Sequence, residues 1–188
     1  MRTVSFLLAL YPLATACIFV RAEDDAAHDQ AHHAVADEHA AHGAVARATI
    51  EARSSSTVAG TATFTEVPGG VLVEVEIHGA PPGWHAAHIH ENGDCSAPDA
   101  ASAGGHFNPA GKPHGAPHAM ERHAGDLGNL WVDEKGDGHH VLLMPDLTVA
   151  DGTFSVRNRA IVIHEKADDL TTQPTGNAGG RIGCGVIR

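Results

Sequence analysis

His88 and His90 stand two residues apart in Trp84-His85-Ala86-Ala87-His88-Ile89-His90-Glu91. In a strand, alternate side chains share a face, so both imidazoles could reach one ion. His106, His114, His123 and Asp126 follow, spaced by eight, nine and three residues. They lie in a stretch with no sustained hydrophobic period. Three imidazoles and one carboxylate suit a closed tetrahedral zinc site. His164 ends a later apolar run. Six histidines and an aspartate make two metal sites if one histidine serves both. Copper takes imidazole readily in tetragonal geometry, and zinc accepts the mixed set. Spacing alone does not say which histidine is shared or name the metals.

Groups so far apart in sequence need a scaffold, and the pattern around them is that of short strands. Alternation begins near Val45, with strands expected at Ala46–Ala52, Thr57–Val67 and Val71–His78, the last two separated by Pro68-Gly69-Gly70. In Val71-Leu72-Val73-Glu74-Val75-Glu76-Ile77 the odd positions are apolar and the glutamates point out, as in a half-solvated sheet. Further strands are expected at Trp84–Glu91, Leu127–Asp133, His139–Pro145, Gly152–Arg157 and Arg159–His164. Residues 92–126 form a stretch too long to stay unstructured inside a compact domain unless something orders it. The four ligand candidates there would do so. The fold class is therefore all-β, an eight-stranded Greek-key β-sandwich or barrel with one long stapled loop. Trp84 and Trp131 read as structural anchors within it.

Three regions divide the 188 residues. Residues 1–22 read as a signal peptide: Arg2, an apolar run from Val4 to Val20, and small residues ahead of Glu23. An alternative takes Cys17 as the lipid-bearing residue of a lipoprotein leader. Residues 23–44 are an acidic, His-rich and flexible extension in which His28, His32, His33, His39 and His42 could recruit metal. Residues 45–188 are the folded domain. The net charge of −11 argues against a nucleic-acid partner. Export would place the protein in the periplasm or outside the cell, where Cys95 and Cys184 would form a structural disulfide.

Several segments together carry a family resemblance. Gly83-Trp84-His85-Ala86-Ala87-His88-Ile89-His90-Glu91, Gly104-Gly105-His106-Phe107-Asn108-Pro109, Glu121-Arg122-His123-Ala124-Gly125-Asp126-Leu127-Gly128-Asn129, Ile163-His164-Glu165-Lys166-Ala167-Asp168-Asp169 and the run Gly176–Ile187 resemble, in order, the signatures of copper–zinc superoxide dismutases. The resemblance spans residues 45–188. It implies copper on His88, His90, His106 and His164, zinc on His106, His114, His123 and Asp126, and His106 as the bridging, proton-carrying residue. His114 is preferred to the nearby His118 by its spacing from His106. It also implies Asp168 as the carboxylate tying a copper histidine to a zinc histidine, Arg181 as the arginine beside copper, and a Cys95–Cys184 disulfide. The substrate would be superoxide and the assembly a homodimer. One departure is that Thr171-Thr172-Gln173-Pro174-Thr175 lacks the charged residues of animal cytosolic members. A lysine-and-glutamate steering device is therefore not expected there.

Overall fold

The structure, a computed structural model, describes residues 43–188. The expected leader, Cys17, and the tail histidines His28, His32, His33, His39 and His42 lie outside the described residues. Eight strands follow: β1 (Val45–Ala52), β2 (Ala59–Val67), β3 (Gly70–His78), β4 (Gly83–His90), β5 (Asp126–Val132), β6 (Gly138–Met144), β7 (Ala160–His164) and β8 (Arg181–Val186). They close into a barrel in the order β1-β2-β3-β6-β5-β4-β7-β8, with every pairing antiparallel. The chain leaves β3 at one side of the barrel and enters β4 between the later strands β5 and β7, which is the Greek-key crossover.

Hydrophobic alternation sets the register. Val71, Val73, Val75 and Ile77 on β3 face inward and are fully buried, while Glu76 and His78 are exposed. Each such aliphatic side chain gains roughly 1.5–3 kcal/mol from burial. A one-residue slip would turn all four outward, so the pairing with β2 and β6 is tightly specified. Phe64, Ile50, Ile89, Leu127, Leu130, Ile161 and Ile163 fill the same interior.

β4 breaks the simple alternation, for a reason that concerns function. Ala87 and Ile89 join the core, yet His88 and His90 on the opposite face are also buried. Their cover comes from the two long connections, 91–125 and 165–180, laid against the outside of the barrel. Backbone bonds fasten the first: Phe107 N–H donates to Ile89 O at 2.8 Å, Ile89 N–H to Gly125 O at 2.9 Å, and Gly125 N–H to Phe107 O at 2.9 Å. Gly125 has to be glycine, because a Cβ there would run into the Ile89 carbonyl. Apart from a 3₁₀ turn at Ala101–Ala103, the connection has no helix or strand.

The Cys95–Cys184 disulfide closes a separation of 89 residues and ties this connection to β8. It sits with Ala100, Ala103, Ala160 and Val162 in a small apolar cluster outside the barrel interior.

One expected strand is absent. Residues 152–157 are turns, and only Ser155 bridges to Thr148. The chain here must cap the barrel end between β6 and β7, so Leu147, Val149 and Val156 turn into the core as a plug. Arg157 fastens it through Val149 O at 3.1 Å and Val45 O at 3.0 Å. Trp84 and Trp131 pair edge-on at 5.3 Å on the outer face and remain 54% and 52% exposed.

Candidate metal centre

The barrel order brings the dispersed histidines together. β4 lies between β5 and β7, with His88 opposite Asp126 on one side and Val162 on the other. His164 ends β7 opposite Arg181 of β8, and a lone bridge pairs His90 with His106. The result is two adjoining clusters: His88, His90, His106 and His164, and His106, His114, His123 and Asp126. In each, one donor atom per residue lies within 4.8 Å of all the others, and all seven residues are buried.

The first cluster has the wrong hydrogen bonding for a packed polar core and the right one for a metal. His88 Nδ1, His90 Nε2, His106 Nε2 and His164 Nε2 are buried with no hydrogen-bond partner. Orphaned buried nitrogens are costly unless something else binds them. Meanwhile the other nitrogen of each ring is engaged. His88 Nε2 donates to Asp168 Oδ2 at 2.8 Å, His90 Nδ1 to Gly104 O at 2.9 Å, and His164 Nδ1 to Gly179 O at 3.4 Å. Such partners fix the tautomer and leave the free lone pair facing the cluster.

In the second cluster, Asp126 Oδ1 lies 2.9 Å from His106 Nδ1, 3.0 Å from His114 Nδ1 and 3.3 Å from His123 Nδ1, and the His106 and His123 nitrogens are 3.3 Å apart. Donors about 2.0–2.1 Å from a tetrahedral ion sit about 3.3 Å from one another. His114 Nδ1 has no hydrogen bond despite that proximity. Its Nε2 instead donates to Asp168 Oδ1 at 2.9 Å. His106 turns Nδ1 toward this cluster and Nε2 toward the first, so it belongs to both.

The electrostatics divide along the same line. Burial pushes His90 down to about 2, with nearby His106, Arg181 and His88 adding to it against the Gly104 bond. Burial likewise holds His106 at about 4, outweighing the Asp126 bond, and His164 well below its usual value. These rings are neutral at physiological pH, the form that binds metal. Burial also opposes charge on His114, but the adjacent Asp126 carboxylate and the bond to Asp168 win and raise it to about 9. Asp126 and Asp168 are held below the usual carboxylate range: burial raises each, and hydrogen bonds from the histidines more than compensate.

Arg181 donates to Ala100 O and Gly104 O, both at 2.7 Å, and remains partly exposed beside the first cluster. His118 is exposed on a groove with Pro117 and Pro145, away from both clusters. Three contributors were not singled out by sequence. His85 is buried and lies 2.8 Å from both His164 O and Pro81 O, bracing the end of β7. Asn129 accepts from Asp168 N at 2.7 Å and donates to Asp168 O at 2.9 Å. Gln173 pairs in the same way with His114. Asn129 falls inside a motif that carries the resemblance, whereas nothing in the sequence marks Gln173.

Comparison with known proteins agrees with this geometry. Residues 58–187 match the family model described as copper/zinc superoxide dismutase (SODC). The chain is 44% identical over 136 residues to superoxide dismutase [Cu-Zn] 2 of Aquifex aeolicus, covering 70% of this chain and 80% of that protein. It is 42% identical over 136 residues to superoxide dismutase [Cu-Zn] of Caulobacter vibrioides, covering 69% and 78%. The crystal structure of the clock protein EA4 superposes with a TM-score of 0.70 at 43% identity, covering 77% of this chain and 94% of that one. The chain belongs to the copper/zinc superoxide dismutase family.

Proposed function

We propose that His88, His90, His106 and His164 hold the copper of this superoxide dismutase, and that His106, His114, His123 and Asp126 hold its zinc. The observation that carries the assignment is the set of four orphaned ring nitrogens converging on the first cluster, beside a second with the spacing of a tetrahedral ion. The imidazole-only set suits copper and the mixed set zinc.

The reaction converts two superoxide anions and two protons into oxygen and hydrogen peroxide, one anion losing the electron that the other gains. Bound copper supplies the one-electron acceptor and donor for that exchange. His106 takes up a proton at Nε2 in one half-cycle and delivers it to the reduced oxygen species in the other. Its Nδ1, kept among His114, His123 and Asp126, holds the ring in place. The chain is acidic overall and repels a small anion, so a local cation has to draw superoxide in. Arg181 fills that role: two of its five N–H donors are bound to Ala100 and Gly104. Metal counts on His164→Ala and His123→Ala test the assignment. The first should lose copper selectively and the second zinc; the reverse pattern would reject it.

We further propose export to the periplasm or cell exterior, which the disulfide supports. The mass of the mature protein separates cleavage after Ala22 from lipidation at Cys17. The tail histidines would recruit metal, so deletion of 23–43 should slow copper loading while leaving activity per bound copper unchanged. The outer-face pair Trp84 and Trp131, with exposed Val141 and Leu143, supports a homodimer. Sedimentation of Trp84→Glu/Trp131→Glu should then show a monomer.

A further inference from the structure

We propose that Gln173 is a positioning residue for the zinc ligand His114, locking the 165–180 connection to the zinc cluster; this rests on the zinc assignment above. His114 lies in irregular chain with no strand to satisfy its backbone. One side-chain amide does so from 59 residues away. Gln173 Oε1 accepts from His114 N–H at 2.7 Å, and Gln173 Nε2 donates to His114 O at 2.9 Å. A primary amide carries both a donor and an acceptor, so it imitates the edge of a strand. No charge is needed, which fits a segment lacking charged residues.

The rest of the connection is built around this contact. Asp169 accepts from the backbone of Thr171 and Thr172 at 3.0 and 2.7 Å, closing the turn that presents Gln173. Asp168, five residues earlier, grips the other end of His114 through Nε2. Gly176 lies over that bond in a left-handed conformation (φ +62°), and a Cβ there would overlap Asp168 Oδ1 and reach within 2.6 Å of His114 Nε2. His114 is thus held at backbone N–H, backbone carbonyl and ring by one connection. That connection leads directly into Arg181, so zinc-ligand placement and the seating of the arginine are linked through it.

Gln173 is exposed while His114 is buried, and truncating the Gln173 side chain opens its side of both bonds to water. Its contribution is to hold His114 in the ligating position. Loss of partners that orient metal ligands typically costs 10–100-fold in affinity, and exposure places this one near about tenfold.

The test uses the mature protein as wild type, Gln173→Ala, Gln173→Glu and a neighbouring control, Thr175→Ala. Zinc affinity is measured by chelator competition, copper affinity separately, and site geometry by the visible spectrum of cobalt(II) bound in place of zinc. Gln173→Ala should weaken zinc about tenfold and alter the cobalt bands, with copper affinity within about twofold of wild type. Gln173→Glu keeps the acceptor for His114 N–H but opposes an oxygen to His114 O, so it should fall between. Unaltered zinc affinity and cobalt spectrum in Gln173→Ala would overturn the inference. So would equal losses of zinc and copper, or the same loss in Thr175→Ala, either of which would indicate general loosening. An Asp126→Ala control that binds zinc as wild type does would instead reject the zinc assignment itself.

Discussion

His90 and Arg181 share one acceptor: the Gly104 carbonyl takes the His90 ring N–H at 2.9 Å and an Arg181 guanidinium N–H at 2.7 Å. The group proposed to attract superoxide is therefore fixed relative to a proposed copper ligand through a single peptide oxygen. Replacing Arg181 by Ala should leave both metals bound and lower the dismutase rate at low salt by about tenfold or more, within the roughly 10–1,000-fold reach of a focused field. Raising the salt should narrow the gap, since screening removes the steering that Arg181 supplies. Rates measured across ionic strength on fully metallated protein decide it, and equal rates at low salt would remove Arg181 from the mechanism.

Asp168 joins the two clusters, one oxygen on His88 and the other on His114. Asp168→Asn cannot accept from both rings, because one of its oxygens becomes a donor. Zinc affinity should fall roughly 10–100-fold. Chelator competition on the variant measures this, with the Asn129→Ala variant expected to follow in the same direction because Asn129 holds the Asp168 backbone.

The legibility of the chain divides along physical lines. The β3 pattern was readable because a strand exposed on one side alternates, and Val71, Val73, Val75 and Ile77 could only face the core. The seven residues of the two clusters stood out because metal binding would restrict residue type as well as spacing, and the resemblance then sorted them. His114 rather than His118 is what the structure places in a cluster. Residues 152–157 misled because the apolar side chains of a barrel plug resemble those of a short strand. Asn129, Gln173 and His85 work through backbone groups brought near by the fold, and such partners leave no periodic trace.

The disulfide should matter for stability more than for architecture. It bridges a separation of 89 residues outside the barrel interior. Chain-entropy reasoning gives a crosslink of that length about 4–5 kcal/mol. Urea unfolding of metal-free Cys95→Ser/Cys184→Ser should show a loss of about that size, with the strand content unchanged by circular dichroism.

Asp169 gives the 165–180 connection a pH dependence. Bonds from the Thr172 hydroxyl and backbone, and from Thr171, hold its carboxyl down to about 2. A folded value below the unfolded one, about 3.9, means the contribution is complete above that value. It is lost as pH falls through about 2. For the metal-free protein, the difference in unfolding midpoint between wild type and Asp169→Asn should be constant from neutral pH to about 5 and close toward pH 2. A difference that widens on acidification would contradict the bonding described.

We propose that the two adjoining clusters sharing His106 form a copper and zinc dismutase centre. Its most direct test is dismutase activity on purified mature protein as copper is titrated into the zinc-loaded form, with both metals counted on each sample. Activity should rise in proportion to copper up to one ion per chain, and His106→Ala should show none at any loading. Full copper occupancy without activity, or undiminished activity in His106→Ala, would contradict it.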